Sequence, residues 1–284
     1  MANANIGITE TTAASFAQVS NMVQTYLIQE SLLLNKVSNY SALAVKGAAS
    51  IKVPRSTGFS VADKSENTTA LLSDTGALAA DTITLNKHKY VQFLVEDYAE
   101  IESSVAAASI FVQNATKDIA LQLDKDIIVA LKAASASTPD HKIVYIDTST
   151  DIIAKGDILA ARKLLAIQNV PVRECFVAVS PAKEAELLAL SDFIDASKFG
   201  SSEPIQNGVI GKIYGMPLMI HSGLTGDETL VWHPSAVGFA MQFAPRLQSE
   251  YTIKELGTTF SIDTKYGVAT LDGGKRQVEI LKTN

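Results

Sequence analysis

Four histidines, two pairs of acidic residues and a few glycine clusters are the parts of this 284-residue sequence whose types and spacing could do chemistry. A shared metal ion needs ligands at short regular spacing, such as His-Glu-x-x-His on one helix face. His88, His141, His221 and His233 lie in four different segments and make no such pair, so each reads as a surface or internally satisfied histidine. Asp124 and Asp126 look like a paired carboxylate for acid–base work. Residues two apart on a helix, however, point about 200° away from each other. Both are therefore expected to be solvated charges, and Glu100 and Glu102 fail by the same geometry.

Gly208, Gly211 and Gly215 could suggest a phosphate cradle. Such a cradle needs Gly-x-Gly-x-x-Gly between a strand and a helix, or a loop ending in Gly-Lys-Ser/Thr. Lys212 is followed by Ile213 and the flanks have strand character, so these are read as turn glycines. Gly273-Gly274-Lys275-Arg276 is read as a hairpin turn by the same logic. No Gly-x-Ser-x-Gly elbow occurs. The lone Cys175 sits in an apolar stretch, where a buried, inert thiol is expected. Nothing assembles a nucleophile, a base and an orienting group. No catalytic, cofactor-binding or metal-binding residue is assigned, no cofactor is expected, and the chain is read as a non-enzyme.

Composition narrows the class further. Hydrophobic residues make up 47% and charged residues 19%, a balance that suits a subunit hiding surface by assembly. The formal net charge of −6 argues against gripping nucleic acid by neutralising its phosphates. A single cysteine excludes an internal disulfide framework and fits a reducing compartment. No basic residue precedes Lys36, so no secretory signal is expected, and no run of eighteen apolar residues predicts a membrane span.

The elements follow from periodicity. Residues 1–11 read as an arm, and Phe16, Val19, Val23 and Leu27 predict an amphipathic helix ending near Leu34, capped by Thr11 and Thr12. Ser50–Pro54 reads as a strand, residues 55–81 lose all periodicity, and Thr82–Val95 returns as strand. Unbroken helical spacing from Ile101 to Ala130, free of proline, predicts a helix from about Tyr98 to Ala133. At 1.5 Å per residue it would be roughly 50 Å long. Strands and helices then alternate: a strand at Ile143–Ile146, a helix at Lys155–Gln168, a strand at Cys175–Val179 and a helix opened by Ser180-Pro181. Gly208–Gly223 reads as two short strands bent at Gly215, and most of the chain from Thr229 onward as strand.

The loop between the strands is the informative part. Ordering it would cost on the order of 1–2 kcal/mol per residue in backbone entropy. Loops beyond about 12–15 residues are uncommon in compact domains. Its leucines have no core nearby, so contact with another subunit is the expected compensation. The expected subunit-contact residues are Arg55, Phe59, Lys64, Glu66, Leu71, Leu72 and Leu78, with Lys87 and Lys89 on the return strand.

Six segments occur in a telling order: Ser50–Pro54; Leu85–Tyr90 running through Val95-Glu96-Asp97; Leu121–Leu131; Asn169-Val170-Pro171 with Cys175–Pro181; Gly208–Leu218 through Ser222-Gly223-Leu224; and Ala236–Gln242. Together they resemble the major capsid proteins of tailed bacteriophages, the Hong Kong 97-type fold, over nearly the whole chain. The resemblance implies an α+β fold with an N-terminal arm and helix at 1–34 and an extended loop at 51–97. It implies a peripheral domain with a spine helix at 35–50 and 98–142, an axial domain at 143–235, and C-terminal peripheral strands at 236–284. It further implies a coat protein that self-assembles as hexamers and pentamers into an icosahedral head around double-stranded DNA. The product would sit in the virion after assembly in the host cytoplasm, with a portal and a decoration or cement protein as partners. Some members begin with a long, charged, helical scaffold segment. None is read here, which implies a separate scaffolding protein or another assembly route. Others join a loop lysine to a neighbour's asparagine. Lys64, Lys87 and Lys89 are available, but no asparagine occurs from Gly208 to Thr283, so a shell without covalent cross-links is expected.

Three other readings stay open. An encapsulin-like bacterial compartment shell would share the fold. A surface filament protein would suit the Ala/Ser/Thr-rich composition but needs helical pairing of both termini, where residues 229–284 read as strand. A small α/β enzyme on residues 143–235 would lack a catalytic constellation.

Overall fold

The computed structural model describes residues 31–56, 61, 63–66, 78–97, 107–137, 141–145, 153, 155–189, 212–226 and 228–282. The arm and most of the first expected helix, the start of the spine helix, and Phe59, Leu71 and Leu72 lie outside the described residues. The chain runs through β1 (Ser38–Asn39), β2 (Ser50–Ser56), β3 (Leu78–Thr84), β4 (Lys87–Glu96), α1 (Ala107–Ser137) and β5 (Lys142–Tyr145). It continues through α2 (Lys155–Ile167), β6 (Phe176–Val179), α3 (Pro181–Ala189), β7 (Lys212–Ile213) and β8 (Met216–Ile220). It ends with β9 (Glu228–Trp232), β10 (Val237–Thr252), β11 (Gly257–Thr270) and β12 (Gln277–Lys282). Among the described residues no helix is long and apolar enough to cross a membrane.

Helix α1 has 31 described residues and so measures about 46 Å. It outruns the expected end at Ala133, its described residues reaching Ser137. Val112, Ile119, Leu123, Ile127 and Leu131 form its buried stripe. They pack on Ile262 and Tyr266 of β11, Phe239 of β10 and Trp232 of β9. Each such Leu or Ile contributes about 1.5–3 kcal/mol by leaving water. Ala115 and Ala120, also buried, let the strands come close. The sheet beneath has the order β1-β10-β11-β4, with β10 and β11 joined antiparallel from Val237↔Thr270 to Thr252↔Gly257.

A second core lies in a six-stranded sheet, order β5-β12-β9-β6-β8-β7. Ile158, Ala161 and Leu165 of α2 and Leu187 of α3 cover Val177, Val179 and Ile280 there. Strands β7 and β8 meet at Tyr214-Gly215, where both residues have positive φ, 49° and 85°. That is the mirror-image turn whose twist matches paired strands, and glycine accommodates it without strain.

One expectation is corrected. Gly273-Gly274-Lys275-Arg276 is not a hairpin turn, because β12 pairs with β9 and β5 rather than with β11. A tight turn at Asp272–Gly274, with three successive positive φ values (53°, 61° and 82°), carries the chain from one sheet to the other. In consequence residues 277–282 share a sheet with the strands of 143–235, and the C-terminal segment 236–284 does not stay in one layer.

Candidate assembly surface

Strands β2 and β3 form a two-stranded ribbon, in register from Ser50↔Thr84 to Ser56↔Leu78. Its base is held. Ile51, Ile83 and Leu85 are buried with Ala44, Ala240 and Leu271, and Gly267 of β11 passes so close to the Thr84 carbonyl that a Cβ would overlap it. Burial then fails along the ribbon: Ile83 is 0% exposed, Leu78 81%, and Val61 beyond it 98%. The ribbon thus has an anchored base and an exposed outer end that carries Leu78.

The expected contact residues separate into two groups. Lys64, Glu66 and Leu78 are exposed, and Lys89 is half-buried on β4. Arg55 and Lys87 are engaged within the chain instead. Arg55 pairs with Asp272 and lies 3.8 Å from Asp81. Lys87 Nζ sits 3.0 Å from Asp126 Oδ1 of α1, and the Tyr266 hydroxyl donates to Asp126 Oδ2 at 2.7 Å. Burial first, and the hydrogen bond to Asp126 second, push the Tyr266 phenol far above its ordinary range.

Asp124 and Asp126 are therefore not solvated charges. They are 1% and 9% exposed. They do diverge as helix geometry requires: Asp126 turns to β4 and β11, while Asp124 turns to the segment before β1 and the loop after β8. Asp124 accepts from Ser31 Oγ (2.6 Å), Leu32 N (3.0 Å), Leu33 N (3.4 Å) and His221 Nε2 (3.1 Å). His221 Nδ1 accepts the Gly223 N–H at 2.9 Å, so the donated proton is on Nε2. Serine, carboxylate and imidazole meet here, yet the serine bonds the carboxylate and not the imidazole, which is no arrangement for nucleophilic attack.

The second polar meeting point joins Ser235 Oγ to His233 Nδ1 at 2.8 Å and His233 Nε2 to Glu174 at 3.3 Å. This serine–imidazole–carboxylate chain is formed by folding, since Glu174 lies 59 positions from His233. Its atoms serve the turn. His233 Nδ1 also accepts the Ser235 N–H at 3.2 Å, Arg276 donates to Ser235 Oγ at 2.7 Å, and the Glu174 side chain is 69% exposed. His88 pairs with Asp263, and His141 is buried against the Gln277 carbonyl. Among the described residues no three His, Cys, Asp or Glu side chains are grouped to hold a metal ion.

No protein-family model and no curated protein matches the sequence. Solved structures do match over nearly its full length. A structure from Mycobacterium phage Che8 superposes with a TM-score of 0.73 at 18% identity, covering 89% of this chain and 92% of that one. The capsid of Cyanophage P-SCSP1u gives 0.71 at 16% identity, over 87% and 86%. A virus-like particle from Pyrococcus furiosus gives 0.64 at 10% identity, over 94% and 99%. The fold is α+β and matches that of Hong Kong 97-like capsid structures.

Proposed function

We propose that this chain is the major capsid protein of a tailed phage, a structural protein that closes with copies of itself into an icosahedral head around double-stranded DNA. The observation that carries the reading is the β2–β3 hairpin, anchored at Ile51 and Ile83 and exposing Leu78 at its outer end, on a fold that a phage capsid matches over 87% of the chain. Self-association offers that end the apolar surface its own subunit withholds. The arm, the exposed loop residues Lys64 and Glu66, and the half-buried Lys89 belong to the same contact set. Residues 1–34, 51–97 and 143–235 take the roles of arm with helix, extended loop and axial domain. Hexamers and pentamers, a separate scaffolding protein, a portal and a cement protein complete the assembly, in the host cytoplasm and then the virion. The acidic chain confines DNA without tight specific binding, because few phosphates are neutralised.

Electron microscopy of the purified, concentrated protein tests the reading, and closed isometric shells are the expected outcome. Removing residues 60–78 should leave a folded, helical subunit that no longer closes regular shells. Normal shells from the deletion would refute the role given to the hairpin. The compartment-shell alternative is not favoured, because the matches are mainly to phage capsids. Native particles containing duplex DNA decide for the phage reading, and particles containing only protein decide for the compartment. The filament alternative finds no support, since β10, β11 and β12 occupy the region where it needs a helix.

A further inference from the structure

Arg55 belongs, by sequence alone, among the subunit contacts. Its surroundings give it a different task. On the inner face of the hairpin, Ile51 and Ile83 give way outward to Val53 and Asp81, then to Arg55 and Ala79. The apolar seat thus ends in two opposite charges, one per strand. Both are bound by one residue. The Asp272 carboxylate takes Arg55 from β2, while the Asp272 N–H donates to Asp81 Oδ2 of β3 at 2.9 Å. Asp272 also accepts from Arg276 Nε at 3.1 Å, and Arg276 reaches on to Ser235.

The location of Asp272 matters as much as its partners. It starts the turn that carries the chain between the two sheets, and its φ of 53° is a left-handed value that a side chain adopts only at some cost. A second crossing between the sheets, residues 233–236, is bonded to this one through His233 N→Arg276 O (3.0 Å) and Leu271 N→Ala236 O (2.8 Å). The hairpin is therefore tied to the point where both crossings meet. The grip is incomplete on one side. Arg55 Nε is buried without a hydrogen-bond partner among the described residues, its Asp81 neighbour being 3.8 Å away. A small rotation of the ribbon would exchange one carboxylate for the other.

We propose that Arg55, Asp81 and Asp272 form a clasp that sets the angle at which the extended hairpin leaves the subunit and couples that angle to the junction between the two sheets. Arg55 and Asp272 are positioning residues for assembly, and Arg55 makes no contact with a neighbour. The part of this inference that concerns shells rests on the capsid reading; the clasp itself does not.

The test labels Leu78→Cys and Gln248→Cys with nitroxides in a Cys175→Ser background and reads the distance distribution in unassembled subunits by pulsed electron resonance. The labelled parent should give one narrow distance. Arg55→Ala and Asp272→Gly should each lose the narrow component, and Arg55→Lys should retain part of it. Glycine suits the left-handed backbone at position 272, so Asp272→Gly removes the carboxylate without breaking the turn. Circular dichroism then shows that these variants stay folded. An unchanged narrow distance in both Arg55→Ala and Asp272→Gly overturns the clasp. Micrographs of the unlabelled protein are scored separately: if it forms no shells the capsid reading fails, while the distance measurement still decides the clasp.

Discussion

Replacing Asp124 with alanine should be among the most damaging single changes in the subunit. The carboxylate is 1% exposed and receives four donors: Ser31 Oγ, two backbone N–H groups and His221 Nε2. Each hydrogen bond to a charged acceptor is worth about 1.5–3 kcal/mol, and each buried donor left without a partner costs about 1–3 kcal/mol. Against this stands the desolvation of the carboxylate, several kcal/mol, which the alanine variant no longer bears. The balance is a loss of about 3–5 kcal/mol, a large share of the roughly 5–15 kcal/mol that holds a domain together. Urea denaturation of unassembled subunits measures it. With a slope near 3 kcal/mol per molar urea, the midpoint should fall by about 1–1.7 M. His221→Ala removes one donor of the four and should cost less, and the two changes together should cost less than their sum. A loss under about 1 kcal/mol for Asp124→Ala would mean that the carboxylate is solvated after all, and the account of the junction would fall with it.

Other consequences can be checked on the same material. The hydrogen bond from Arg246, and secondarily that from His88, holds the Asp263 carboxyl below the usual aspartate range despite the opposing effect of burial. The folded state therefore binds fewer protons at this site than the unfolded one, so its stabilisation is present above the ordinary aspartate pKa of about 4 and fades as pH falls through the lower folded value. Asp263→Asn should flatten the acid side of a stability–pH profile measured by denaturation, and an unchanged slope below about pH 4 would contradict this. Burial, with a smaller contribution from Glu174, pushes the Cys175 thiol up to about 11. A thiol reagent at pH 8 should leave the native subunit untouched and modify one thiol after unfolding; rapid native labelling would refute the buried placement. Lys87 is held by Asp126 and no asparagine lies between positions 208 and 283, so mature particles boiled in detergent without reductant should run as one band near 30.3 kDa. A ladder of multimers would show cross-links.

Elements with strong periodicity were legible in the sequence. The long helix, the strand–helix alternation from 142 to 189 and the turn at Gly215 all stand where apolar spacing and turn chemistry put them. The aspartates of α1 were misread because two-residue spacing was weighed in isolation. Ala120, Asp124, Ile127 and Leu131 follow one another at four-, three- and four-residue steps, as do Ile119, Leu123, Asp126 and Ala130. Both aspartates thus lie inside the apolar arc of the helix, and that signal was available. The partners were not, since Ser31, Lys87, His221 and Tyr266 come from elements far along the chain. The turn at 272–276 was misassigned for a related reason: two glycines announce left-handed backbone, but not whether the next strand returns to the same sheet.

That division between what periodicity reveals and what it hides follows from the kinds of force involved. Apolar burial is non-directional and scales with area, so it writes itself into the chain as repeating pattern, even though each of the two large cores gathers elements far apart in sequence. Orientation between those cores needs contacts with direction, and here they are carboxylates accepting from several donors at once. Asp124 joins α1 to residues 31–33 and to His221, Asp126 joins it to β4 and β11, and Asp272 joins the hairpin to the crossing between sheets. Each bond spans 39 to 217 positions along the chain. The seating of the hairpin on the sheet beneath it depends on the last of these acceptors. Loss of the buried Asp124 carboxylate should cost the fold itself, whereas loss of the partly exposed Arg55–Asp272 pair should free the hairpin before it unfolds either core.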